Sequence, residues 1–343
     1  MLLAVTAPAI TIHVPEDTEF IGEAIRVAHD GDLILVSPGT YFEHIDFMGK
    51  AIIVQSTAGA ANTVIDGSHG DTVVRFETDE GPQSVLSGFT LQHGNGAFGG
   101  GIDLTLASPT ITQNIFRDNG FAGGSGAAID GNSSSPVIEG NVFFGNTCDT
   151  QFSSGVITFR NFSSPIIINN IFARNPCRAI NFISPQGNHP VIANNTIVQN
   201  SVGIHVSNFG SPSTDLYANN ILVANGVGLQ VDGTMLTWTN NLVFANTSNY
   251  TGIADQTGLN GNISADPMFL PTRSRGDFEL GVGSPAIDAG RLSVPGLPPT
   301  DFLGNARVVD GDGNGSALPD IGAYEFNPVD MDVLTKMEVM PPR

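Results

Sequence analysis

Polar and apolar positions recur in a fixed order along the middle of the chain. Six segments align without gaps: SPTITQNIFRDN from Ser108, SPVIEGNVFFGN from Ser135, SPIIINNIFARN from Ser164, HPVIANNTIVQN from His189, TDLYANNILVAN from Thr214 and MLTWTNNLVFAN from Met235. Each carries an asparagine at its seventh place (Asn114, Asn141, Asn170, Asn195, Asn220, Asn241) and another at its twelfth (Asn119, Asn146, Asn175, Asn200, Asn225, Asn246). Short β-branched runs separate the asparagines, and a third run follows: GGIDL at 100–104, AAIDG at 127–131, GVITF at 155–159, RAINF at 178–182, VGIHV at 202–206 and VGLQV at 227–231. QSVLSGFTLQHG, from Gln83, reads as an earlier, degenerate rung.

Seventh-place asparagines lie 27, 29, 25, 25 and 21 residues apart. Three short β-rich pieces in that interval make one coil of a parallel β-helix, which buries its apolar side only when coils stack. Leucine-rich repeats share the period but need a leucine frame that is absent, and helical repeats need a 3.6-residue periodicity that β-branched runs do not supply. The asparagines are expected at the bends, where Asn tolerates left-handed backbone. There their amides would pair from coil to coil as a ladder. Asn194-Asn195-Thr196 also fits the glycosylation pattern, but its place in the repeat argues for a structural role.

Alternation in the third run sends Ile102, Ile129, Ile157, Ile180, Ile204 and Leu229 inward. It sends Asp103, Asp130, Thr158, Asn181, His205 and Gln230 outward, as a polar file on which to seek chemistry. Trp238, the sole tryptophan, falls on an inward file with Ile192 and Tyr217, so a sugar-stacking platform is thin. Cys148 and Cys177 each follow a twelfth-place Asn by two residues in neighbouring coils. The spacing suits a disulfide, which would favour an extracytoplasmic site, or a stacked pair of buried thiols.

Residues 17–30 (DTEFIGEAIRVAHD) predict a short amphipathic helix, capped by Asp17 or Thr18, with Ile21, Ala24, Ile25 and Ala28 on one face. Such a helix plugs the open end of a solenoid. The predicted organisation is an N-terminal strand and capping helix over 12–30, β-helix coils over 31–250, an irregular C-terminal cap region over 251–326 and a tail over 327–343.

AIRVAHDGDLILVSPGTYFEHIDF resembles the N-terminal coil of the pectin-lyase-like superfamily of right-handed parallel β-helices. ADPMFL, GDFELGVGSPAIDAG, TDFLGNARVVDGDGNG and PDIGAYEF resemble the C-terminal region of secreted bacterial right-handed parallel β-helix repeat proteins. The resemblance implies a secreted or cell-surface bacterial protein with polysaccharide as substrate or ligand. Polygalacturonase-like and epimerase-like catalytic signatures are absent.

The chain has 343 residues, 13 Lys+Arg against 33 Asp+Glu and a net charge of −20. That surface repels phosphate backbones and argues against nucleic acid as a partner. It also repels anionic glycans unless a hard cation such as calcium bridges them. No stretch is long and apolar enough to span a membrane, and a monomer is expected. The start, MLLAVTAPAI, lacks a basic region and reads at most as the remnant of a signal peptide.

DGDGNG at 310–315 places Asp310, Asp312 and Asn314 in alternation, as calcium loops do, with Asp320 able to complete the set. Ile321 stands where an EF-hand needs Glu, which rejects that motif. GNGAFG at 94–99 fits GxGxxG but precedes a strand, not the helix a dinucleotide site needs. On the outward file, Asp103 and Asp130 would stand about 5 Å apart, the separation of retaining glycosidases. Arg160, Arg178 and His205 are candidates for the base or cation of a lyase. Two functions stand: a polysaccharide lyase or glycoside hydrolase on this face, or a non-catalytic adhesion or glycan-binding scaffold. Short inserts at 120–126 and 147–154 predict a shallow groove.

Overall fold

The computed structural model describes residues 8–120, 125–148, 154–183, 189–208, 215–233, 236–271 and 278–328. Most of the two inserts on which the shallow groove was expected (121–124 and 149–153), the first seven residues and nearly all of the tail lie outside the described residues. The chain winds as a parallel β-helix of three sheets with ten, nine and nine strands. Each circuit passes from the first sheet (for example Val191–Ala193) to the second (Thr196–Val198) and the third (Val202–Asn208). Every pairing between named strands is parallel and joins one coil to the next; Ile102, Ile129, Ile157, Ile180, Ile204 and Leu229 form one continuous inward row. Rings stack inside as well, Phe116 on Phe143 at 4.7 Å and Phe143 on Phe172 at 4.5 Å.

The bends hold two asparagine ladders. At the first corner Asn170 Nδ2 donates to Asn195 Oδ1 (3.0 Å) and Asn195 Nδ2 to Asn220 Oδ1 (3.0 Å). The file runs from Asn114 to Asn241 and continues to Asn262, which the repeat alignment did not include. The second corner repeats the pattern from Asn119 to Asn246. The expected left-handed backbone falls one residue earlier. Gln113, Asn169, Asn194, Asn219 and Asn240 have φ of 56, 58, 50, 57 and 51°, and no ladder asparagine has positive φ. The reason is geometric: the left-handed residue turns the chain, and the next side chain then points into the corner.

The asparagines at the turning position point outward and dock the C-terminal region. Asn194 Nδ2 donates to the carbonyls of Asp320 and Gly322, Asn219 to Arg291, Asn240 to Ala289 and Asn169 to Thr300. Asn194 has no exposed surface, so the glycosylation pattern is sterically closed in the fold. The C-terminal region thus lies along the outside of the second sheet, where Ile171, Val198, Ile221 and Leu242 offer it an apolar face. Arg307, fully buried, bonds Glu325 at 2.7 Å and also the side chain of Asn169.

The N-terminal helix spans Ile21–Val27 and buries Ile21, Ala24 and Ile25. Its cap is neither Asp17 nor Thr18. The Glu43 carboxylate, one coil on, accepts the N–H groups of Ile21 and Gly22, each at 2.9 Å. Lys50 Nζ donates to the carbonyls of Ile25, Arg26 and Ala28. Orphan groups at both helix ends are therefore satisfied from the first coil. Cys148 and Cys177 form a disulfide with Cα atoms 5.6 Å apart.

Asn195→Ala is expected to cost about 1–3 kcal/mol in urea unfolding, because buried amide and carbonyl partners in both adjacent coils lose their bonds. Unchanged stability would remove the ladder from the account of this position.

Candidate functional site

The outward row of the third sheet is in register as Arg75, Asp103, Asp130, Thr158, Asn181, His205 and Gln230. Its central members are not a solvated face: Asp130, Thr158 and Asn181 have no exposed surface, and Asp103 and His205 retain 8% and 3%. Desolvation therefore governs their chemistry.

Two clusters form on this row. In the first, Asp103 and Asp130 are register partners on neighbouring strands, Ile102–Thr105 and Ile129–Asn132. Burial, with the charges of Asp130 and Glu77 beside it, pushes the Asp103 carboxyl up to about 7. Burial pushes Asp130 to about 6, while Arg160 and the Ser125 hydroxyl oppose the shift. Arg160 Nη2 donates to Asp130 Oδ2 at 2.6 Å, and Ser125 Oγ donates to Asp130 Oδ1 at 2.5 Å. The Arg160 guanidinium also lies over the half-exposed Phe98 ring, 4.9 Å from its centre. Thr105 Oγ1 donates to Asp103 at 3.2 Å.

The second cluster centres on His205. Its Nδ1 contacts Asn181 Oδ1 at 2.6 Å and its Nε2 contacts Asp232 Oδ2 at 2.9 Å. Burial lowers the His205 pKa, reinforced by the Arg178 charge and opposed by Asp232. Burial likewise lowers Arg178, against the pull of Asp232. Three strand steps separate Asp130 from His205, roughly 14 Å at 4.8 Å per step. The five candidates thus divide: Asp103, Asp130 and Arg160 share one place, Arg178 and His205 another, and no single bond is within reach of both.

Ser125, Glu77 and Asp232 were not singled out from the sequence. The two ion pairs share a diagonal geometry that carries a usable signal. Arg160 stands two residues beyond Thr158, the register partner of Asp130, and Asp232 two beyond Gln230, the register partner of His205. Glu77 would emerge from the same alignment had the rung TVVRFE been included, since Val74 pairs Ile102.

In the C-terminal region, carboxylate oxygens of Asp288, Asp310 and Asp312 lie within 4.8 Å of one another. Asp288 Oδ2 accepts the N–H groups of Gly311 and Asp312, while Asp310 Oδ1 is buried without a partner. This trio can hold a metal ion. Asn314 lies in the same loop, its amide nitrogen on Asp312 Oδ2 at 2.8 Å. Asp320 stands behind it with no exposed surface, its oxygens taking the N–H groups of Asp288 and Phe326. Asp288 was not anticipated from the sequence, because it comes from a separate turn 22 residues before the loop. The glycine series at 94–99 serves close packing: a Cβ on Gly96 would sit 1.9 Å from Thr72 Oγ1 in the neighbouring coil.

No helix among the described residues is long and apolar enough to cross a membrane. No curated protein matches the chain. Among solved structures, pectate lyase Pel9A aligns at 16% identity over 94% of this chain and 98% of its own, with a TM-score of 0.45. The PL6 family alginate lyase AlyGC aligns at 14% identity over 77% of this chain and 54% of its own, with a TM-score of 0.26. A pectin methylesterase in complex with a hexasaccharide aligns at 10% identity over 77% and 94%, with a TM-score of 0.31. At these identities the likeness concerns the fold. The profile of the right handed beta helix region matches residues 50–221, half of the chain, and the chain belongs to that family.

Proposed function

We propose that the protein cleaves polysaccharide as a glycoside hydrolase at the Asp103–Asp130 pair. The observation that carries this reading is a pair of carboxyls on adjacent rungs whose surroundings treat them differently. Asp103, without a cation bonded to it, is the proton donor to the leaving glycosidic oxygen. Asp130, held by Arg160 and Ser125, is the carboxylate assigned to the anomeric carbon, which it reaches once one of those bonds gives way to substrate. Burial raises both carboxyls, and the partners assign the roles: only Asp130 has a bonded cation favouring its ionised form, which suits it as nucleophile. Adjacent rungs bring the pair to the roughly 5 Å of retaining enzymes. Elimination is the weaker chemistry here, because Arg160 is bound to Asp130 and both His205 nitrogens are engaged. Phe98, over Arg160, offers a sugar ring an apolar surface beside the pair.

A second reading rests on burial. Asp130 has no exposed surface, which suits a non-catalytic scaffold in which Arg160 and Asp130 brace the face for glycan binding or adhesion. In either reading the protein works at or beyond a bacterial cell surface, and the Cys148–Cys177 disulfide supports an oxidising compartment. Calcium is the cation proposed for the Asp288–Asp310–Asp312 trio, where hard oxygen ligands converge.

A polysaccharide panel read for new reducing ends decides between the two. Asp103→Asn is expected to lower kcat by about 10²–10⁴-fold. Activity should rise with pH as Asp130 ionises near 6 and fall as Asp103 loses its proton near 7, the two limbs belonging to the pair as a unit. Ultraviolet-absorbing unsaturated products would reassign the reaction to elimination, and binding without product would leave the scaffold. For the metal, calorimetric titration of calcium into chelator-treated protein should show binding that Asp312→Ala loses; equal binding by both would dismiss the trio.

A further inference from the structure

Seven histidines occur in the chain, and three of them, His44, His69 and His93, fall 25 and 24 residues apart. They occupy the corner between the second and third sheets in three successive coils. His44 precedes strand Ile45–Asp46, His69 lies between Thr63–Asp66 and Val74–Phe76, and His93 follows Thr90–Gln92. Asp71, at the same corner beside His44, bonds Arg75 at the start of the outward row.

Two of these rings have their proton placed by their surroundings. His44 Nδ1 lies 2.8 Å from the carbonyl of Thr72, which only accepts, so Nδ1 carries the hydrogen and Nε2 of the neutral ring keeps its lone pair. That Nε2 sits against Gly70, 3.3 Å from where a Cβ would stand. His93 Nδ1 lies 2.9 Å from Asp66 Oδ2. Asp66 is buried; burial pushes its pKa up, but bonds from Gln92, the Ser68 N–H and His93 hold it below the ordinary value. An ionised acceptor likewise fixes the hydrogen on Nδ1 and leaves Nε2 of His93 as a ligand atom. The carboxylate–imidazole pair is the arrangement that orients metal-binding histidines and raises their basicity. His69, exposed, completes the row: its ring lies against that of His93, centroids 4.6 Å apart and planes tilted by 38°, and its backbone N–H donates to the His93 carbonyl at 2.7 Å.

We propose that this corner binds a divalent transition-metal ion of the zinc class through His44, His69 and His93, with Asp66 as the positioning residue for His93. Imidazole nitrogen selects zinc, nickel or copper over calcium and magnesium, which prefer oxygen. Among the described residues only the aspartate trio already has three ligand atoms within 4.8 Å. Closing the histidine site therefore takes movement of the side chains from all three coils, with the exposed His69 ring as the central member of the row. The DGSHG turn at 66–70 leaves room for it, since Gly70 puts no side chain beside His44. The net charge of −20 concentrates cations at the surface without choosing among them.

The test is calorimetric titration of zinc chloride into chelator-treated full-length protein, with calcium chloride as a parallel arm. His44→Gln, His69→Gln and His93→Gln should each weaken zinc binding by about 10–100-fold and leave calcium binding unchanged. Asp312→Ala should leave zinc affinity unchanged. Copper(II) bound to the wild type should show nitrogen hyperfine structure in its electron paramagnetic resonance spectrum. Unchanged zinc affinity in any of the three histidine variants, or a copper spectrum of oxygen ligands alone, would overturn the site. All three histidines lie at the surface, so the variants keep the buried core that Asp66→Asn would disturb.

Discussion

Amide pairing between asparagine side chains at the two bends underlies the rest of the structure. A coil that turns sharply leaves backbone N–H and C=O groups facing inward, where no water reaches them. Each ladder side chain meets that need in both directions. Asn195 Oδ1 accepts the backbone N–H and the side-chain amide of Asn170, while Asn195 Nδ2 serves carbonyls of its own and the preceding coil. Because the bond is made to the identical residue one coil away, it sets the register of neighbouring coils. A one-residue slip would leave amides unpaired at two corners as well as turning the strands inside out.

That register decides where chemistry can occur. The third sheet brings Asp103 beside Asp130, and a fixed diagonal brings Arg160 to Asp130 and Asp232 to His205. The two ion-paired centres are built by one geometric rule, yet their burial gives them opposite characters: carboxyls held towards their protonated forms in one, basic groups held away from theirs in the other. Between them lie Thr158 and Asn181, which transmit the row without adding charge.

Most of the fold was legible, since stacking turns one coil's pattern into a statement about its neighbours. The inward isoleucines, both ladders, the disulfide spacing and the apolar face of the N-terminal helix could all be read from residue positions. Three things could not. The helix caps Glu43 and Lys50 are contributed by the next coil, so local capping chemistry pointed at Asp17 and Thr18 instead. Burial of the outward file depends on what crosses it, which alternation does not encode. Asp288 reaches the aspartate loop from a different turn, and no local motif announces a ligand brought in by tertiary packing. Of each Asn-Asn pair, the repeat announces only the second residue, as a ladder step; the first docks the C-terminal region, whose position the repeat does not encode.

That docking has a mechanical consequence. A solenoid is a nearly one-dimensional object whose coils touch only their neighbours, so it can fray from an end one coil at a time. Here Asn169, Asn194, Asn219 and Asn240 fasten a single strap of chain across four consecutive coils, and Arg307 of the strap is buried against Asn169. The strap acts as a splint. The last coils cannot peel away singly while it is in place, so the C-terminal half must yield as one cooperative block, whereas the N-terminal coils rely on the helix plug and their own stacking.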